Sequence, residues 1–195
     1  MRQQGSIIKI GEDRLLPDDT ISVISQIYEM ANRSMDFLND QGDDDFSFAI
    51  PGLSRFRASA YKQRSTLSIV IRIITFSLPD PGQLGIPDKI IEFAKFPKGL
   101  VLITGAAGSG KSTSLACIID YINQHYDKHI ITLEDPLEFL HRHNRSIVSQ
   151  REIGVDTDSY VTALRAALRQ SPNVILLGEM RDYETIQVAM TAAET

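Results

Sequence analysis

The sequence predicts an α/β protein: a parallel-sheet domain built on a phosphate-binding loop, preceded by a small α+β unit. Three observations carry this. From residue 100 onward, short apolar runs alternate with helical patterns, as they do where helices join parallel strands. The first junction is Gly105-Ala106-Ala107-Gly108-Ser109-Gly110-Lys111-Ser112, which fits glycine, four residues, glycine, lysine and a hydroxyl residue. Before residue 79, a helix-period segment leads into three strand-like runs separated by turn residues, a pattern of antiparallel hairpins.

The loop has the context its chemistry needs. Leu100, Val101, Leu102 and Ile103 form an unbroken apolar run, which predicts a strand buried on both faces. After the loop, Leu115, Ile118, Ile119 and Ile122 recur at three- and four-residue steps and predict a helix over 113–124. Glycines let the loop turn its N–H groups inward, and the helix N-terminus adds partial positive charge. In that pattern Lys111 reaches the β- and γ-phosphates and the Ser112 hydroxyl ligates Mg²⁺. The expected ligand is a nucleoside triphosphate.

Composition narrows the partners. The 195 residues carry a net charge of −5, 43% hydrophobic and 23% charged residues, so no basic surplus favours nucleic acid. A single cysteine, Cys117, precludes an intrachain disulfide, and its helical position reads as a small core residue. No run approaches the roughly 18 apolar residues of a membrane span. Both ends read as cut: an apparent strand over 7–10 follows Met1 almost at once, and residues 192–195 stop inside a helical pattern.

In chain order, residues 1–78 form the α+β unit. Ile21, Ile24, Ile27, Tyr28 and Ala31 share the face of a helix ending near Asn32. Asp43, Asp44 and Asp45 read as a solvated turn. Strands are expected over 46–50, 55–61 and 67–74. Arg55 and Arg57 share one face by two-residue periodicity, while Arg72 interrupts an apolar strand, a costly residue to bury unless it meets an anion or water. Residues 79–99 hold Pro79, Pro81, Pro87 and Pro97 with Gly82, Gly85 and Gly99 around a short helix over 88–95, which marks a linker and a hinge. Residues 100–195 form the phosphate-loop domain.

Within it, a strand over 130–133 runs into Glu134-Asp135-Pro136-Leu137-Glu138. Working residues of open parallel sheets gather at the carboxyl ends of strands, so Glu134 and Asp135 are expected beside the phosphates. His141 and His143 lack the further ligands and spacing of a metal site. A helix over 159–170 turns Val161, Leu164, Ala167 and Leu168 to the core and exposes Arg165 and Arg169. The apolar run from Val174 to Leu177 predicts a third strand, and Glu179 at its end is expected to orient the attacking water through geometry.

These motifs resemble the secretion ATPases, the motors of type IV pili and type II secretion. The resemblance covers almost the whole chain and rests on the loop from Gly105 through Thr113, the acidic run from Ile131 to Glu138, the segment from Ser149 to Thr157, the run Ala163 to Gln170, and Gly178-Glu179-Met180-Arg181-Asp182. Gln150-Arg151-Glu152 with Gly178-Glu179-Met180 resembles the pilus-retraction branch. The resemblance implies a RecA-like ATPase core, an N-terminal PAS-like domain and a homohexameric ring with ATP and Mg²⁺ between the domains. It implies catalytic roles for Glu179, Glu134 and Asp135, and makes Arg57 and Arg72 the arginines that reach toward the γ-phosphate. It implies inner-membrane pilus platform proteins as partners at the cytoplasmic face of the inner membrane, and twitching motility as the output.

Ala106 and Ala107 stand where relatives more often have proline and threonine. In the RecA-like order, the strand after the Glu179 strand inserts between it and the phosphate-loop strand. No such strand is present in the sequence, so a gap with unpaired backbone is expected there. Related extension or type II secretion motors remain open, as does a nucleotide-binding relative without turnover. A phosphate-loop kinase or helicase would leave the arginine-bearing front unit unexplained.

Overall fold

Alternation along three consecutive runs builds the first sheet. The computed structural model describes residues 1–195 apart from Gln4, Gly5, Glu12, Thr75, Ser77, Pro79 and Thr195, and only the backbone of Arg2 and Gln3. Ser77 and Pro79 of the Pro/Gly-rich stretch, and Thr195 at the expected C-terminal cut, thus lie outside the described residues. The chain divides into two units, Met1–Ile73 and Ile74–Thr195.

In the first unit β1 (Arg2–Gln3) pairs antiparallel with β2 (Ser6–Ile7). The expected strand stops at Ile7, and Ile8 and Ile10 are exposed. Helix α1 (Pro17–Met30) starts on Pro17, where the missing N–H costs nothing, and the Asp19 carboxylate accepts from the Leu16 N–H at 2.8 Å. It buries Ile24, Ile27 and Tyr28 and leaves Ile21 exposed. A short α2 (Asp36–Gln41), unforeseen in the sequence, leads into β3 (Asp43–Ile50). β3 pairs antiparallel with β4 (Ser54–Gln63), and β5 (Thr66–Ile74) completes the order β3-β4-β5. Phe46, Phe48, Phe56, Ala58 and Ala60 face the helices and form one core with Ile24, Tyr28 and Leu38.

The acidic run is not a solvated turn. It starts β3, and period two sends Asp44 inward, to 4% exposure, while Asp43 and Asp45 stay exposed. Arg33 meets it with both prongs, Nε to Oδ2 at 2.8 Å and Nη2 to Oδ1 at 2.7 Å, and the Tyr28 hydroxyl donates to Oδ2 at 2.9 Å. The buried carboxylate is satisfied by charge-assisted bonds, and Arg33 also lies over the Phe46 ring at 5.5 Å. Burial, then the Asp44 bond and charge, push the Tyr28 phenol pKa up.

In the second unit α4 (Lys111–His125), β6 (His129–Glu134), β7 (Ile147–Glu152), α5 (Tyr160–Ala167), β8 (Val174–Leu177) and α6 (Tyr183–Glu194) follow one another. The sheet is parallel throughout, ordered β7-β6-β8, with Leu133 opposite Leu177 and Glu134 opposite Glu152. Ile130, Val148 and Leu176 pack under Ile118, Ile119 and Ile122 of α4. Ile131, Leu133, Ile175 and Leu177 pack on the opposite face against Ala163, Leu164, Ala167 and Ala189 of α5 and α6. Each fully buried leucine or isoleucine contributes about 1.5–3 kcal/mol, and strands covered on both faces explain why these runs do not alternate in polarity. β7 was not foreseen, because its Ser149, Gln150 and Arg151 mask an edge strand. Helix α5 ends at Ala167, short of Gln170, and Leu168 is exposed.

Two expectations change. The short helix of the Pro/Gly-rich stretch, α3 (Asp88–Ile91) with a 3₁₀ turn at Glu92–Lys95, sets Ile90, Ile91 and Ala94 into the core under α4, as part of the second unit. The run 100–103 is not a buried strand. Among the described residues it pairs with no strand, and Leu100, Val101 and Leu102 are 46%, 37% and 61% exposed. Among the described residues no strand lies beside it, so the run has no ladder to join; Ile103 still packs against the core under α4.

The connection 135–146 is tied to α4 by buried Asn123, which donates to the Arg142 carbonyl at 2.7 Å and accepts from the Asn144 N–H at 3.1 Å. The Gln150 side chain accepts from the His141 N–H at 2.7 Å and donates to the Phe139 carbonyl at 2.9 Å. His141 Nδ1 is buried without a partner, and burial pushes the ring's pKa down to about 4.

Asp44→Ala, which strips Arg33 and Tyr28 of their shared acceptor, is expected to lower the urea-unfolding free energy by about 2–3 kcal/mol; a loss under about 0.5 kcal/mol contradicts this account. For His141 the folded pKa lies below that of a free histidine. The unfolded chain therefore protonates first as pH falls, and stability is full above about 6.5 and is lost toward about 4. Thermal melts from pH 7 to 4 should show a shallower decline for His141→Gln than for the parent; parallel curves contradict it.

Candidate functional site

The loop and the strand ends meet in a single cavity of about 330 Å³, lined by Ala107, Gly108, Lys111, Ser112, Glu134, Asp135 and Glu179 among others. Its roof is the start of α4. Gly110 precedes the helix at φ +91°, a left-handed conformation that side chains resist, and so directs the loop into the axis of the helix. No side chain caps α4 and no acid lies in its first turn, which leaves its leading N–H groups for an anion. Lys111 Nζ donates to the carbonyls of Gly105 at 3.1 Å and Ala106 at 2.9 Å, closing the loop on itself. Gly105, Ala106, Ala107, Gly108 and Ser109 are exposed, and Lys111, Ser112 and Thr113 are half-buried. The sequence-predicted phosphate cradle is thus one contiguous feature.

The floor is the carboxyl ends of β6 and β8. The Gly178 N–H donates to the Leu133 carbonyl at 2.8 Å, which carries the parallel pairing one residue past β8. A Cβ at 178 would lie 3.2 Å from Glu134 Cα, 3.2 Å from the Tyr160 hydroxyl and 3.4 Å from the Leu133 carbonyl oxygen. A side chain at 178 would crowd these strand ends, and the acid sits one residue later, at Glu179. Glu134 is largely removed from water, which pushes its pKa up; Thr132, Gln150 and the Glu138 backbone partly oppose this. Asp135 is exposed and Glu179 half-buried. Arg181 Nε donates to Glu179 Oε1 at 2.9 Å.

The structure therefore brings Glu134, Asp135 and Glu179 to one cavity with Lys111 and Ser112. Arg57 and Arg72 belong to the first unit. Arg57 is half-buried on the β4 face opposite the phenylalanines, beside Arg55 in the two-residue pattern. Arg72 is exposed on β5, an edge strand, so its guanidinium reaches water. His143 Nδ1 accepts from the Val148 N–H at 3.1 Å. Among the described residues no cluster of three or more His, Cys, Asp or Glu side chains forms a metal site by itself. Sequence reading missed Tyr160, whose buried hydroxyl lies against Gly178, because a tyrosine opening an amphipathic helix reads as packing.

The cavity's donor set suits a magnesium nucleotide: free helix N–H groups and Lys111 for phosphate oxygens, and a hydroxyl with carboxylates for a hard cation. The poorly hydrated Glu134 carboxylate is one that a nearby cation would stabilise.

Comparison with known proteins gives the arrangement relatives. Pseudomonas aeruginosa type IV pilus retraction ATPase PilT is 42% identical over 197 residues, covering 100% of this chain and 56% of that protein. An uncharacterised Escherichia coli (strain K12) protein, YggR, is 49% identical over 158 residues, 81% of this chain and 48% of its own. Among solved structures, the pilus retraction motor PilT with bound ADP superposes with a TM-score of 0.85 at 47% identity, over 93% of this chain and 52% of that one. The Legionella pneumophila ATPase DotB follows with a TM-score of 0.77 at 32% identity, covering 98% and 54%. The chain spans about half the length of these relatives. The second unit's parallel sheet agrees with the RecA-like core expected from the motifs. The match to the type II/IV secretion system protein family runs over residues 18–195, and this chain belongs to that family.

Proposed function

We propose that the protein hydrolyses ATP with Mg²⁺ as a ring-forming motor, and that its work is type IV pilus retraction. One observation carries the enzymatic part: an uncapped helix N-terminus with its glycine loop opens on the same cavity as three carboxylates from two strand ends. Kinship with PilT, a retraction motor solved with ADP, supports both the nucleotide and the cellular role. A hexamer, inner-membrane platform partners and a place at the cytoplasmic face of the inner membrane complete the reading. No helix among the described residues is long and apolar enough to cross a membrane; in this reading attachment is to the platform proteins.

In this reading Lys111 gives up its loop carbonyls for phosphate oxygens, where a full charge gains more than at a neutral acceptor. The leading N–H groups of α4 hold the β-phosphate, and Ser112 with the acids of the β6 end holds the metal. Mg²⁺ supplies neutralisation of the charge spread over the transferring phosphoryl group. Glu179 orients the water for in-line attack and accepts its proton. Glu134 and Asp135 would hold the metal together with Ser112. Arg57 and Arg72 approach the γ-phosphate from a front unit of PAS-like fold, as arginine fingers do, when the ring closes.

Lys111→Ala should weaken binding of a fluorescent ATP analogue at least tenfold. Glu179→Gln should keep that binding while phosphate release slows by about 10²–10⁴-fold; parental turnover in Glu179→Gln rejects the assigned base. Arg57→Ala and Arg72→Ala should each cut kcat by about 10³-fold or more with nucleotide affinity within a few-fold of the parent, measured by phosphate release and by analogue titration. Unchanged kcat in both rejects the arginine assignment.

A further inference from the structure

Glu179 stands between two very different neighbours. On the solvent side its Oε1 accepts from Arg181 Nε at 2.9 Å, and that arginine side chain is 78% exposed. An ion pair so open to water contributes little and exchanges readily. Beside Gly178 lies the Tyr160 hydroxyl, buried, with no hydrogen-bond partner. A buried phenol left without an acceptor is unfavourable and calls for an explanation.

The position of that hydroxyl supplies one. Tyr160 opens α5, which Ser159 caps by accepting from the Thr162 N–H at 3.2 Å, and its ring packs with the core of Ile131, Leu133 and Leu164. The phenol is thus held by a capped helix and a packed core. Its oxygen lies 3.2 Å from where a Cβ of residue 178 would stand, directly beside Glu179 in sequence. Burial, and after it the charges of Glu179, Asp135 and Glu134, raise its pKa, so the phenol stays protonated and keeps its donor. The fold holds a permanent donor next to the strand end that carries the water-orienting acid, and that acid is turned to another partner.

We propose that Tyr160 is a positioning residue for Glu179: when ATP fills the cavity, the carboxylate leaves Arg181 and accepts from the Tyr160 hydroxyl, which sets its orientation toward the attacking water. The state with Arg181 bound is then the resting one. Gly178 serves this exchange as well as strand packing, because any side chain there would separate the phenol from the strand end. This inference rests on the ATPase reading above.

Tyr160→Phe in the intact protein tests it. The expected result is a kcat lower by about tenfold or more with KM and the affinity for an ATP analogue within twofold of the parent. The melting temperature should not fall, because the hydroxyl has no bond to lose. In single-turnover experiments, adding Tyr160→Phe to Glu179→Gln should change the rate by less than twofold, since the phenol acts through the carboxylate. A Tyr160→Phe kcat within twofold of an active parent overturns the inference alone. A melting temperature lowered by several degrees overturns it by revealing a structural bond, and an equal further loss in the Glu179→Gln background overturns it by showing action elsewhere. A parent protein that binds ATP without hydrolysing it overturns the ATPase reading and this inference together.

Discussion

Backbone contact between the ends of β6 and β8 is the constraint on which the site depends. Gly178 lies against the Glu134 backbone, where a Cβ would stand only 3.2 Å from Glu134 Cα, and its N–H extends the ladder to the Leu133 carbonyl. Closing the strands here brings Glu134, Asp135 and Glu179 to one floor beneath the start of α4. Glu134, Asp135, Glu138 and Glu179 line one cavity and repel one another, and burial adds to the cost at Glu134. The core under α4, and the second one against α5 and α6, offset that cost by fixing both strands from either face. The site is thus electrostatically suited to a cation and a polyphosphate.

Charged groups of the cavity find local partners. Lys111 donates to carbonyls of its own loop, and Arg181 occupies Glu179. Both are charge-assisted contacts, and Arg181 is largely exposed, so its pair with Glu179 is weak enough for a ligand to displace. The Tyr160 hydroxyl and His141 Nδ1 have no such partner: both are buried unpaired, one opening α5 and the other on the connection after β6.

The elements legible in the sequence were those with a strong local signal. The α4 pattern, the apolar β6 and β8, and the meander of β3, β4 and β5 all carry periodicities that burial on one or two faces imposes. Glu134, Asp135 and Glu179 were legible because strand ends of a parallel sheet are where such residues collect. Asp44 was misread because a run of acids suggests water, whereas period-two alternation decides which of three neighbours turns inward to Arg33 and Tyr28. β7 was missed because an edge strand tolerates polar residues, and Tyr160 because nothing in an amphipathic pattern marks a hydroxyl.

By itself, the sequence determined the phosphate loop, the alternation of strands and helices, and the identity of the acids, since each follows from residue types at fixed spacing along one segment. Tertiary structure alone decided the pairing of Arg33 with Asp44, the exposure of residues 100–102, the docking of the Pro/Gly-rich stretch under α4, and the convergence of Tyr160, Gly178 and Glu134. These depend on which strand lies beside which and on how closely two backbones approach, and no local periodicity encodes a distance between segments forty residues apart.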